Sequence, residues 1–217
     1  MMTDKYNKIF LTGYCGTGKS TVGRNLAQRL EWDFRDMDDE IVAQAGQSID
    51  ELTKGGTSWQ KFRELELEVL RDLLQQKDIV ISMGGGACVN NVVRENDDRT
   101  YGEIGKVILD SAPRALVVLL TADEEVLARR IGRAEMRQTE TRRPILDEKT
   151  AKQVKATTKE HKGDPARQKE ILADEIVKNS LRVYRERKDL YAALTDKVVN
   201  TEGRVADSVK KIMGFLE

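Results

Sequence analysis

At 217 residues the chain suits one α/β domain with a full core and room for an elaboration. Lys plus Arg and Asp plus Glu both total 37, which leaves no global field for nucleic acid or an anionic membrane, and no apolar run approaches a bilayer span. Cys15 and Cys88 are too few for a disulfide framework or a zinc site, the single His161 excludes a multi-histidine centre, and Met1-Met-Thr-Asp-Lys-Tyr6 has no signal-peptide pattern, so a cytoplasmic protein is expected.

Ile9-Phe-Leu11 predicts a short buried strand, and Val22, Leu26, Ala27 and Leu30 recur at helical spacing after it. Between them Gly13-Tyr-Cys-Gly-Thr-Gly-Lys-Ser20 fits G-x-x-x-x-G-K-[S/T] without exception. Glycines let consecutive backbone N–H groups turn inward around a phosphate, and the following helix aims its positive end at the same anion. The run Gly13, Gly16, Thr17, Gly18, Lys19, Ser20 and Thr21 is therefore a candidate nucleoside triphosphate site. Lys19 would reach the outer phosphates, and the Ser20 hydroxyl would ligate Mg²⁺.

Trp32-Asp-Phe34 predicts a second strand ending at Asp36, and Ser48-Ile-Asp-Glu51 has the form of a capping box. Trp59, Phe62, Leu65, Val69 and Leu73 mark one face of a long helix. Ile79–Met83 predicts a third strand running straight into Gly84-Gly-Gly86, and Leu116–Leu120 a fourth, followed by a helix from Asp123 to Ile131. Val198-Val199 suggests a last strand, with Val205, Val209, Ile212 and Leu216 on a closing helix. This alternation calls for a parallel sheet covered on both faces. From Gly132 to about Ser180 apolar periodicity fades, and from Lys149 to Lys188 Lys and Arg outnumber Asp and Glu. Two readings of that stretch stand side by side, a solvated helical hairpin and a mobile lid that carries cations to the phosphates.

The remaining chemistry lies at strand ends, where open α/β sheets bind ligands. If Asp36-Met-Asp38 is extended, both carboxylates face one cleft, one holding a metal's water shell and the other accepting a proton from an attacking hydroxyl. As strand-end acids they equally fit a turn or cap. Arg63 and Glu66 are spaced for an i,i+3 ion pair, or for a buried Arg aimed at a substrate carboxylate. Three glycines after a buried strand point to close backbone approach to a ligand.

In this order the motifs resemble the shikimate kinase family, among the P-loop small-metabolite kinases. They are the Gly13–Ser20 loop, Asp36-Met-Asp38, Phe62-Arg63 with Glu66, Gly84-Gly-Gly86, Arg143-Pro144, and Arg187 ahead of Leu190-Tyr191. The resemblance spans nearly the whole chain. It implies one P-loop NTPase domain over residues 1–217, a three-layer α/β fold with a five-stranded parallel sheet in the order 2-3-1-4-5, and a lid insertion at about 132–180. It further implies transfer of phosphate from ATP, with Mg²⁺, to the 3-hydroxyl of shikimate by a monomer. Asp38 matches the residue that contacts the ring hydroxyls and is the candidate base; Asp36 matches the one that holds Mg²⁺. Arg63 and Arg187 match the pair that grips the substrate carboxylate, beside Gly84, Gly85 and Gly86. Arg143 matches the lid arginine that meets the phosphates, and Arg130 is the candidate partner of the adenine face. The segments between Arg130 and Arg143, Pro144 and Arg187, and Gly86 and Leu116 are longer than usual for the family, and Lys188-Asp189 replaces its usual pair before Leu-Tyr. Two alternatives stay open here, a gluconate-kinase-like or nucleotide-kinase-like enzyme and a non-catalytic nucleotide-binding module. The four retained residues Lys19, Ser20, Asp36 and Asp38 argue against the module.

Overall fold

Alternate residues of a strand face opposite sides of a sheet, and the chain uses this to build two cores. In β1, Lys8–Thr12, the fully buried Ile9 and Leu11 join one apolar layer, and Phe10 joins the other. The structure is a computed structural model that describes residues 5–53, 58–137, 156–159, 161 and 163–217. After β1 follow α1 (Lys19–Leu30), β2 (Asp33–Asp36), α2 (Met37–Ala45), α3 (Ile49–Leu52), α4 (Gln60–Leu74) and β3 (Ile79–Ser82). Then come α5 (Tyr101–Asp110), β4 (Ala115–Thr121), α6 (Glu124–Arg137), α7 (Pro165–Ala192), β5 (Lys197–Asn200) and α8 (Val205–Met213). The five strands pair in parallel in the order β2-β3-β1-β4-β5, as expected.

On one face Val22, Leu26 and Leu30 of α1 and Val209 and Ile212 of α8 cover Ile9, Leu11, Val80, Val118 and Leu120. On the other, α2, α4, α6 and α7 cover Phe10, Ile81, Val117 and Leu119. The sheet order places the switch of direction at β1, so its carboxyl end and that of β3 open one crevice. The two ends are tied together, since Met83 N–H donates to Leu11 O at 3.0 Å.

Three elements differ from their sequence-based expectations. Met37-Asp38 is helical rather than extended: Asp36 is the N-cap of α2, and Asp38, Asp39 and Glu40 occupy its first turn, where the helix dipole favours acids. Thr100 and Glu103 form a reciprocal capping box that opens α5, a helix the sequence reading left unassigned. The charged stretch from Gly132 to Ser180, where apolar periodicity fades, is helical at both ends. Through Arg137 it belongs to α6, and from Pro165 to α7, whose Ala173, Ile176, Asn179 and Ser180 are buried. Leu172, Val177, Leu181 and Tyr184 also pack against the core, but charged residues interleave them along the sequence and mask the periodicity.

α5 packs tightly on the segment after β3. A Cβ on Gly102 would stand 2.4 Å from the Asn90 carbonyl oxygen, and one on Gly105 would stand 2.5 Å from that of Ala87. Gly→Ala inside a helix normally gains about 1 kcal/mol. Here the obstacle is backbone, which no rotamer change relieves, so Gly102→Ala should destabilise by about 1–3 kcal/mol. Chemical denaturation measures this; a variant at least as stable as the parent would mean that α5 slides freely on residues 87–90.

Candidate active site

The phosphate loop leaves β1 through backbone that L side chains avoid. Gly13, Gly16 and Gly18 have φ of 134°, 81° and 90°. At Gly13 even the space is closed, because a Cβ would lie 2.4 Å from Leu120 O. Thr17 is fully buried and donates its hydroxyl to Tyr14 O at 2.8 Å, which pins the turn from within. Lys19, the first residue of α1, lays its ammonium beside the loop, donating to Gly13 O at 2.8 Å and Tyr14 O at 3.0 Å. Tyr14 lies against Tyr184 of α7, ring centroids 5.7 Å apart, and burial pushes its phenol up to about 12, so it stays protonated.

Ser20 reaches the acids of the second strand. Its hydroxyl donates to Asp36 Oδ2 at 2.6 Å, while Asp36 Oδ1 accepts from the Asp38 N–H at 3.2 Å. Ser82, at the end of β3 and almost fully buried, places its Oγ 3.4 Å from Ser20 Oγ. Serine and aspartate thus gather an oxygen-only group at the base of the phosphate loop, the donor type a hard divalent cation takes. Among the described residues no cluster of three or more His, Cys, Asp or Glu competes for a metal.

Beside the glycine turn that follows β3 stands a buried ion pair. Arg63 and Glu66, 5 % and 2 % exposed, meet through Arg63 Nη1 and Glu66 Oε2, with Arg63 stacked near the rings of Trp59 and Phe62, 5.1 Å from each centroid. The pair is incompletely satisfied: Arg63 Nε and Glu66 Oε1 are buried with no hydrogen-bond partner among the described residues. Both side chains press on the triple glycine. A Cβ on Gly84 would lie 2.6 Å from Glu66 Oε1 and 3.5 Å from Asp38 Oδ1, and one on Gly86 would lie 2.8 Å from Arg63 Nη2. Arg187 arrives from α7 and donates to Gly85 O at 3.2 Å, as does the Tyr191 hydroxyl. The two arginines named from the sequence therefore flank the same glycine turn.

Arg130 of α6 is tied down at the other end, donating to Gly16 O and Thr201 Oγ1 at 3.1 Å each and to Thr201 O at 2.6 Å. A cavity of about 490 Å³ has Lys19, Ser20, Thr21, Asp38, Gly85 and Arg130 among its walls. Arg143 lies outside the described residues.

A profile of the shikimate kinase family matches residues 15–217. The chain belongs to the shikimate kinase family. The shikimate kinase of Nitratidesulfovibrio vulgaris is 31% identical over 209 residues, covering 96% of this chain and 95% of the relative. That of Chlorobium limicola is 44% identical over 115 residues, 51% of this chain and 54% of the relative, so the chain spans about half that protein's length. The solved structure of shikimate kinase from Bacteroides thetaiotaomicron superposes with a TM-score of 0.67 at 25% identity, covering 97% of this chain and 98% of that one.

Three contacts of the site are not legible in the sequence. Ser82 looked like one more residue of a buried strand, although a hydroxyl at the end of an otherwise apolar Ile79–Ile81 run was a usable signal. Thr201 accepts from Arg130, donates to Thr17 O at 2.8 Å and lies after β5 with no motif around it. Tyr191 carried the family pattern, but nothing in the sequence linked its hydroxyl to Gly85.

Proposed function

We propose that this protein transfers the γ-phosphoryl group of ATP to the 3-hydroxyl of shikimate. One observation carries the reading: a single cavity is lined by the phosphate loop, by Asp38 and by Gly85, the glycine whose carbonyl Arg187 holds. Family membership supports it, as does the match to the N. vulgaris enzyme over nearly the full length of both chains. Arg63 and Arg187 select a carboxylated acceptor, because a guanidinium fork fits a carboxylate through two parallel bonds. Asp38 orients the acceptor hydroxyl and takes its proton as the oxygen attacks. Lys19 stabilises charge on the outer phosphates, and the loop's inward N–H groups hold them in line. Arg130 borders the nucleoside end of the cavity.

Ser20 and Asp36 fit Mg²⁺, which favours oxygen ligands and keeps several waters. When bound, the ion would supply positive charge that offsets the charge of the phosphates. Arg143 is assigned to the phosphates by its match to the family's lid arginine. A monomer located in the cytoplasm is the corresponding expectation for the whole protein, and among the described residues no helix is long and apolar enough to cross a membrane.

A coupled ADP-release assay across shikimate, gluconate and nucleoside monophosphates tests the proposal. Release that depends on shikimate alone is expected. Release with gluconate or a nucleotide in its place would reassign the acceptor, and ATP binding without any release would favour the non-catalytic module.

A further inference from the structure

Three glycines in a row are the least self-ordered backbone a site can use, since glycine loses more freedom on folding than any other residue. In this chain every carbonyl of the turn is held from outside it. Gly84 O accepts from Ala87 N–H at 3.2 Å, and Gly86 O accepts from Asn90 Nδ2 at 2.9 Å, Asn90 itself being 2 % exposed. Gly85 O accepts from both Arg187 Nη1 and the Tyr191 hydroxyl. A trans peptide is rigid, so a fixed carbonyl also fixes the N–H of the next residue on the opposite side. Holding Gly84 O and Gly85 O therefore aims the Gly85 and Gly86 N–H groups, and Gly85 lines the cavity.

Of the two groups on Gly85 O, Arg187 is the one that the acceptor reclaims. A guanidinium that grips a substrate carboxylate redirects donors away from a backbone oxygen. Tyr191 also hydrogen-bonds with the Arg187 side chain, but it cannot follow that side chain to the substrate: it is 1 % exposed and belongs to the core cluster that includes Leu194 and Ile176. Burial raises its phenol and keeps it a proton donor.

We infer that Tyr191 is a positioning residue for the acceptor site, its hydroxyl locking the Gly85 carbonyl so that the glycine turn keeps its shape when Arg187 turns to the substrate. The inference rests on the proposed function for the identity of the acceptor. Tyr191→Phe keeps the ring and its packing and removes the hydroxyl alone. One neutral hydrogen bond lost from an acceptor contact predicts an apparent KM for shikimate raised about five- to tenfold, with KM for ATP unchanged. Amide exchange in the shikimate-saturated protein, followed in a peptide spanning 83–90, should quicken by a similar factor, with the thermal midpoint lowered by only a few degrees.

Wild-type shikimate-dependent ADP release tests the functional reading by itself, so its failure stays separate from that of the Tyr191 argument. A KM for shikimate within twofold of the parent, a parallel loss toward ATP, or unaltered exchange at 83–90 would each overturn the inference.

Discussion

Turnover of Asp38→Asn on shikimate is expected to fall by about two to four orders of magnitude, the range for loss of an acid–base group, while ATP binding persists. The structure makes this a clean substitution. Asp38 contributes its backbone N–H to the Asp36 cap, and asparagine keeps that N–H. The negative charge of Asp38 in the first turn of α2 is worth about 0.3–1 kcal/mol to that helix, too little to unfold it. Steady-state kinetics paired with nucleotide titration separates the two effects. Turnover near that of the parent would remove Asp38 from the chemistry and leave it as a helix-terminus residue.

Arg63→Lys should raise the apparent KM for shikimate at least tenfold and leave ATP almost untouched, because it retains the charge beside Glu66 and discards the planar fork. Magnitudes decide the choice of lysine. Arg63→Ala would leave the Glu66 carboxylate, 2 % exposed, buried without its cation, a loss of about 3–5 kcal/mol against a domain stability of about 5–15 kcal/mol. Its kinetics would then report unfolding as much as recognition. An equal loss toward both substrates in Arg63→Lys would assign the arginine a purely architectural role through Glu66.

The sheet and the phosphate loop were legible because each answers to a strict spacing. Ile9–Leu11, Ile79–Ile81 and Leu116–Leu120 are short apolar runs of the kind buried parallel strands carry, and the loop motif lies between a strand and a helix as its chemistry requires. Asp36 and Asp38 were found as a pair but misassigned in backbone. The cap signal, an Asp followed by three acids, was visible, yet a helix with only Met37 and Ile41 buried has little periodicity to betray it. α7 is obscured differently: it is a 28-residue helix dense in charge, and beside Ile176 and Tyr191 it buries Ala173, Asn179 and Ser180, which no hydropathy pattern highlights. Contacts such as Tyr191 to Gly85 and Arg130 to Thr201 join distant parts of the chain through single polar atoms. Periodicity carries no information about those.

The strand order also governs how this chain must come together in time. β1 is made first and sits at the centre, yet its two neighbours are β3 and β4, so Lys8–Thr12 finds no sheet partner until Ile79–Ser82 and then Ala115–Thr121 have been synthesised. Its apolar Ile-Phe-Leu segment is a sticky, unpaired ribbon throughout that interval. Every pairing in the sheet is non-local, which places the protein among slow folders whose early states are prone to aggregate. A nascent chain that ends before Thr121 has no β4 to close the sheet on one side of β1, so the phosphate loop, whose Gly13 is wedged against Leu120, cannot take its working shape until that late strand arrives.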